Sequence, residues 1–169
     1  MKLLVVSDSH GSSGILEDLK RRYAQKVDGM FHCGDSELSP DDPAITGFKV
    51  VKGNCDYGPG FPEESLEVID NEKIFVTHGH LFGIKMSLNK LFYHAKEQEA
   101  DFVFFGHSHL VGAEMIENIL FLNPGSTLLP RGRNEATYAI VEKENNRITV
   151  KIFEDTHEEM VDLRMEFTI

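Results

Sequence analysis

Five short stretches of the chain place side chains able to hold a metal ion at or near glycine. They are Asp8-Ser9-His10-Gly11, Gly34-Asp35, Gly53-Asn54-Cys55-Asp56, His78-Gly79-His80 and Gly106-His107-Ser108-His109. Carboxylate and amide oxygens together with imidazole nitrogens suit hard to borderline divalent ions such as Mn, Fe, Zn or Mg. The lack of cysteine pairs argues against a structural zinc site. One ion of roughly four- to six-fold coordination cannot use so many donors. Two ions sharing a bridging carboxylate could, and would still leave positions for water and substrate. Glycine beside a ligand lets the backbone turn tightly and approach an ion. Taken singly these residues are ordinary, and Asn54 alone reads as a turn residue; the recurrence carries the inference.

Each stretch follows a run that reads as a strand, and in α/β sheets ligands collect at the carboxyl ends of strands. Residues 3–6 form a buried apolar run ending at Ser7-Asp8. A helix follows, capped by Ser12 or Ser13, with Ile15, Leu16, Leu19, Tyr23 and Val27 at three- and four-residue spacings. Residues 29–32 and 48–51 read as strands ending before Asp35 and Asn54. Residues 66–69 and 73–77 flank a hairpin-like turn, Asp70-Asn71-Glu72, and the second of them ends at His78. The spacing of Leu88, Leu91, Phe92 and Ala95 predicts a helix over 87–99, and 102–105 is a buried strand ending at Gly106. Residues 111–116, 120–122, 137–141 and 147–153 read as further strands, with turns at Asn123-Pro124-Gly125 and Glu144-Asn145-Asn146. The segment Tyr57-Gly58-Pro59-Gly60-Phe61-Pro62 is a loop beside the site, and the acid-rich stretch 154–166 is a solvated face with Met160, Leu163 and Met165 turned inward. The alternation predicts an α/β domain.

The chain has 169 residues, with 28 acids against 17 bases and a net charge of −11. That length suits a single domain, 1–169, with a sizeable core. The charge argues against a protein that grips nucleic acid with a broad cationic face, so no long nucleic acid is expected as a partner, while a local positive site remains compatible. No apolar run approaches the roughly 20 residues that span a bilayer, and Met1-Lys2 leads straight into a strand without a signal-peptide pattern. Cys33 and Cys55 are expected to be reduced and the protein cytoplasmic, with no membrane partner. A homo-oligomer is compatible with all of this.

Five such motifs in this order resemble those of the calcineurin-like metallophosphoesterases, and in particular the small YfcE-like phosphodiesterases. The resemblance spans residues 8 to 109 and implies two mixed β-sheets packed face to face with helices outside. It also implies a ligand set: Asp8, His10 and His109 for one divalent ion, Asn54, His78 and His107 for a second, and Asp35 bridging both. Manganese is the expected metal, with Fe, Zn, Ni or Mg as substitutes. The implied reaction is hydrolysis of a small phosphodiester by a hydroxide held between the two ions, with Asn54 also in the catalytic set. Many relatives carry a histidine directly after the Gly-Asn pair, where this chain has Cys55, as the YfcE-like group does. His80, one glycine beyond a ligand, is therefore the candidate general acid and a candidate substrate contact. Cys55 is a second candidate substrate contact, read as a small packed residue and not a nucleophile. Asn123-Pro124-Gly125-Ser126 is expected to support a ligand histidine, and Arg131 and Arg133 read chiefly as solvated. His32, His94 and His157 carry no motif. The competing reading is a protein-binding scaffold resembling the retromer subunit of this fold, with a vestigial metal pocket.

Overall fold

The computed structural model describes residues 1–169. Strand β1 (Lys2–Val6) leads into helix α1 (Ser13–Tyr23), then β2 (Gly29–His32) and the two-residue β3 (Lys49–Val50). A second series follows: β4 (Glu64–Ile69), β5 (Glu72–Thr77), α2 (Asn89–Glu97), β6 (Phe102–Phe104), β7 (Gly112–Ile116) and β8 (Ile119–Asn123). The chain then returns to the first sheet through β9 (Thr137–Glu144), β10 (Arg147–Glu154) and β11 (Met165–Thr168). The first sheet has the order β11-β10-β9-β1-β2-β3 and the second β4-β5-β6-β8-β7. Both are mixed, since β1, β2 and β3 run parallel, as do β5, β6 and β8, while their outer neighbours pair antiparallel.

Alternation along β1 explains the layering. Leu3 and Val5, with Phe31 of the neighbouring β2, face the second sheet, where they meet Phe102, Phe104 and Leu122, all completely buried. Leu4 and Val6 face outward and pack with Leu16 and Leu19 of α1. Helix α2 covers the far side of the second sheet, setting Leu91 and Ala95 against Phe75, Val103 and Phe121. The expected architecture of two packed mixed sheets flanked by helices is thus the observed one. Because β1, β2 and β3 of one sheet and β5 and β6 of the other all point the same way, their carboxyl ends open onto one edge of the sandwich. Asp8, Asp35, Asn54, His78 and His107 are delivered there from both layers.

Details of the sequence reading need correction. Ser12 occupies the N-cap of α1 but makes no side-chain capping bond. Helix α2 is shorter than expected, and the third strand shrinks to two residues. The β4–β5 turn is Asp70-Asn71 alone, both at positive φ, because Glu72 already pairs with Ile69. The stretch around Met165 is not only a solvated face: Met165–Thr168 forms an edge strand on β10, with Met165 and Phe167 packed against the inter-sheet core. No helix is long and apolar enough to cross a membrane.

Candidate metal centre

The two carboxylates are built alike, each with one oxygen held by the protein and the other turned inward. Asp8 Oδ2 accepts the Ser7 hydroxyl at 2.6 Å and the His107 N–H at 3.1 Å, while its Oδ1 is buried without a hydrogen-bond partner. Asp35 Oδ1 accepts the Cys55 N–H at 2.7 Å, and its Oδ2 stands 3.3 Å from His78 Nε2.

Three imidazoles are oriented the same way. His78 Nδ1–H donates to the Cys33 carbonyl at 2.7 Å, His109 Nδ1–H to the Leu129 carbonyl at 2.6 Å, and His10 Nδ1–H to Glu37 Oε1 at 2.8 Å. A neutral ring whose Nδ1 donates has a bare lone pair on Nε2. Those lone pairs converge. His109 Nε2 lies 3.1 Å from Asp8 Oδ1 and 3.4 Å from His10 Nε2, and His78 Nε2 lies 3.2 Å from Asn54 Oδ1. Asp8 Oδ1 stands 4.0 Å from both His10 Nε2 and His78 Nε2, between the two groups. Acceptors that face acceptors in a buried pocket need something positive between them, so the donor set fits divalent cations.

Ligand-competent atoms within 4.8 Å of one another form three groupings: Asp8, His10 and His109; Asp8, Asp35 and His78; and His10, Asp35 and Cys55. Asn54 joins through its contact with His78. His107 stands further back, its ring 5.1 Å from that of His78 and outside those groupings. Asp8 and Asp35 each belong to two groupings, so by position either carboxylate straddles the centre.

The backbone is bent to present these groups. Asp8, His10, Asp35, His107 and His109 all have φ between 41 and 66°, in the left-handed region that costs a non-glycine residue about 1–2 kcal/mol. Close packing leaves no room for side chains on the adjoining glycines: a Cβ at Gly53 would fall 2.0 Å from Asp35 Oδ1, and one at Gly106 1.9 Å from Ser7 Oγ.

Electrostatics follow from burial and neighbours. Burial works to raise the Asp35 carboxyl, but bonding from His78 and Cys55 holds it well below the usual range. Burial pushes His78 down, yet Asp35 and Asp8 prevail and raise it; His109 is raised, chiefly by Asp8. Burial, assisted by His78 and Lys85, lowers His107 to about 4. The Cys55 thiol is pushed up to about 11 by burial and by Asp35, so it is protonated at neutral pH, in keeping with a packed residue and not a nucleophile. His80 is lowered by burial and by His78; its ring lies 5.3 Å from that of His78, its Nδ1 is buried without a partner, and Nε2 is 4.0 Å from Glu63. His80 thus stands beside the candidate ligand His78 with a buried Nδ1 that no protein group satisfies.

Several contributors escaped the sequence reading. Asp56 is buried and accepts N–H groups from Asp35 at 2.8 Å, Gly53 at 2.8 Å and Glu37 at 2.7 Å, and the Ser36 hydroxyl at 3.1 Å. One carboxylate thereby ties the Asp35 turn to the Asn54 turn. Its place two residues after Asn54 in a glycine-led turn was the available signal. Glu37, which orients His10, had none. The Asn123–Ser126 turn does support the site: Asn123 Nδ2 donates to the Gly106 carbonyl at 2.8 Å and to Ser108 Oγ at 2.9 Å, and Ser126 Oγ donates to the Asp8 carbonyl at 2.7 Å. His32 is buried at the back, lowered to about 4 by burial; its Nδ1 accepts the Gly34 N–H and its Nε2 bonds Ser9 Oγ. Of the two arginines, Arg133 lies 4.0 Å from Glu135, whereas Arg131 lines a cavity beside His109.

Two sheets with histidines and aspartates gathered at one edge define the protein as one with a candidate metal centre. Residues 1–146 match the calcineurin-like phosphoesterase superfamily domain, and the chain belongs to that family. Among its relatives, the probable metallophosphoesterase YsnB of Bacillus subtilis (strain 168) is 44% identical over 169 residues, covering 100% of both chains. The phosphodiesterase YfcE of Escherichia coli (strain K12) is 28% identical, covering 85% of this chain and 89% of that one. A crystal structure of a predicted phosphoesterase from Streptococcus pneumoniae TIGR4 superposes with a TM-score of 0.96 at 45% identity, covering 99% of this chain and 97% of that one. Vacuolar Protein Sorting 29 from Cryptosporidium parvum shares the fold, with a TM-score of 0.78 at 19% identity, covering 99% of this chain and 98% of that one.

Proposed function

We propose that the protein is a phosphodiesterase acting on small phosphate diesters with two divalent ions, manganese by preference, held by Asp8, His10, Asp35, Asn54, His78, His107 and His109. The observation that carries this reading is the convergence of acceptor-only atoms: Nε2 of three imidazoles, the free oxygens of Asp8 and Asp35, and Asn54 Oδ1. When bound, the ions supply Lewis acidity, activating a water and neutralising charge on the phosphoryl oxygens. The chain's own contribution is orientation. Glu37, Cys33 and Leu129 fix the tautomers of His10, His78 and His109, and Asn54 Nδ2 donates to Cys55 Sγ at 3.3 Å, which aims its oxygen at His78. The exposed edge of the sandwich leaves the site accessible to solvent and to a phosphate group. His80, whose ring lies 5.3 Å from that of His78, is the candidate general acid and substrate contact.

Hydrolysis of bis-p-nitrophenyl phosphate with added manganese tests the reading. Asp35→Asn should lose more than the about 10–100-fold typical of altered outer partners, because it changes a ligand itself. Absence of metal-dependent turnover in the parent protein would overturn the proposal and leave the scaffold reading. The scaffold alternative has the fold of Vacuolar Protein Sorting 29 behind it, but a vestigial pocket would have no need of three imidazoles held in one tautomer.

His80 is the candidate general acid, and its substitution tests that role. A general acid matters most for poor leaving groups. His80→Ala is expected to slow alkyl diesters more than nitrophenyl diesters; an equal loss on both would remove His80 as the acid.

A further inference from the structure

In this acidic chain most cations are tied down: ten of the 17 basic side chains have a carboxylate within 4.0 Å. Of the other seven, Lys20, Arg22 and Lys26 lie on or just beyond α1 and Lys90 lies on α2. The remaining three, Lys52, Lys85 and Arg131, stand around the metal centre. Lys52 is among the charges acting on His80, Lys85 on His107 and Arg131 on His109. The Arg131 N–H also donates to the His109 carbonyl at 3.2 Å.

Lys85 and Arg131 share one cavity of about 510 Å³, floored by Ile84, Leu88, Phe105, Leu110 and Phe121 and reaching the site at Ser108. Lys52 lines a second cavity of about 470 Å³, reaching the site at Cys55 from the other sheet, where Glu37 and Asp56 also contribute. A phosphodiester has two ester arms diverging from phosphorus, and the centre has a cavity on either side. The two differ in sign: the first holds two free cations against the single carboxylate of Glu114, the second one cation against two carboxylates. An apolar floor of this size suits a ring-bearing group. A guanidinium and an ammonium at its rim suit a phosphate, the first by its planar fork and the second as a point charge.

We propose that Lys85, Arg131 and the apolar floor between them form a subsite for one substrate arm, a nucleoside-like arm carrying a second phosphate. This rests on the phosphodiesterase reading above, and it narrows the substrate to small nucleotide diesters with an additional phosphate.

Three substrates that release the same nitrophenolate test it with manganese-loaded protein: bis-p-nitrophenyl phosphate, thymidine 5′-p-nitrophenyl phosphate, and the same nucleoside ester with a 3′-phosphate. A charge-assisted contact to the added phosphate should raise kcat/KM about tenfold over the 3′-hydroxyl compound. Arg131→Ala and Lys85→Ala should each shrink that preference several-fold, while Lys90→Ala leaves it intact. No preference, or one that survives both substitutions, overturns the subsite. Calorimetric binding of thymidine 3′,5′-bisphosphate against thymidine 5′-monophosphate reads the same contact without turnover. Hydrolysis with no advantage for the bisphosphate sinks the subsite alone. Absence of hydrolysis, with a bisphosphate advantage lost in Lys85→Ala and Arg131→Ala, keeps the subsite and sinks the phosphodiesterase reading.

Discussion

Asp56 coordinates nothing in the proposed centre, yet it accepts four hydrogen bonds that join the Asp35 and Asn54 turns. Removing a buried charged acceptor strands its donors, at about 1–3 kcal/mol for each group left unsatisfied. Asp56→Ala should therefore destabilise the protein by about 3 kcal/mol or more and weaken metal binding together with stability, measured by urea unfolding with and without manganese. Glu37 is different, because its side chain is half exposed and its carboxylate hydrogen-bonds His10 alone. Glu37→Gln should leave the unfolding midpoint near that of the parent while lowering manganese affinity by about 10-fold, the low end for outer partners of a ligand histidine. A pH dependence also belongs to this scale. His78 and His109 hold their protons more tightly than free imidazole because Asp35 and Asp8 face them, and protons compete with a metal for the same Nε2 atoms. Manganese affinity should rise with pH through and somewhat above the ordinary histidine range and then level off, with proton release on binding that shrinks as pH increases; calorimetry in buffers of different ionisation enthalpy checks both. The clustered candidate residues could be read in the sequence because each carries its own chemistry at or near glycine. Glu37 and Lys85 could not, since their roles exist only after two or more loops have met, and Asp56 left only its place in the Asn54 turn as a signal.

At the scale of elements, the periodic segments were legible and the ends were not. The unbroken apolar run of β1 reflects burial on both faces and the three- and four-residue spacing in α1 burial on one, and both are properties of residue order. The edge strand Met165–Thr168 was missed because its single inward alternation, Met165 and Phe167, is embedded in charge, and only the β10 ladder gives it partners. The β4–β5 hairpin shows how finely a turn is set: Asp70 and Asn71 both take positive φ, the backbone of a tight two-residue connection. The most sensitive joint between element and site is Gly106, where β6 ends. Its missing Cβ is the space occupied by Ser7 Oγ and, at 2.6 Å, Asp8 Oδ2. Gly106→Ala should separate β6 from the β1 loop, costing about 1–3 kcal/mol as overpacking does and at least an order of magnitude in manganese-dependent turnover. Gly112→Ala, which meets open space, is the control that should change neither, read by thermal unfolding and nitrophenyl diester hydrolysis.

For the molecule as a whole, a net charge of −11 surrounds the centre for which a small phosphodiester substrate is proposed. Long polyanions meet the body's field before they reach the site, whereas a short diester meets chiefly the metals and nearby cations. Turnover per phosphodiester should fall with oligonucleotide length at low ionic strength, and the gap should narrow in about 0.5 M salt, where the screening length is only a few ångströms. A protein that relied on a cationic groove would show the opposite salt trend. The strained torsions are a structural load as well as a chemical device. Asp8, His10, Asp35, His107 and His109 occupy backbone positions where glycine would rest more easily. At about 1–2 kcal/mol for each such torsion, the edge that gathers the donors is also the least relaxed part of the backbone, so stability and site geometry are set by the same few residues.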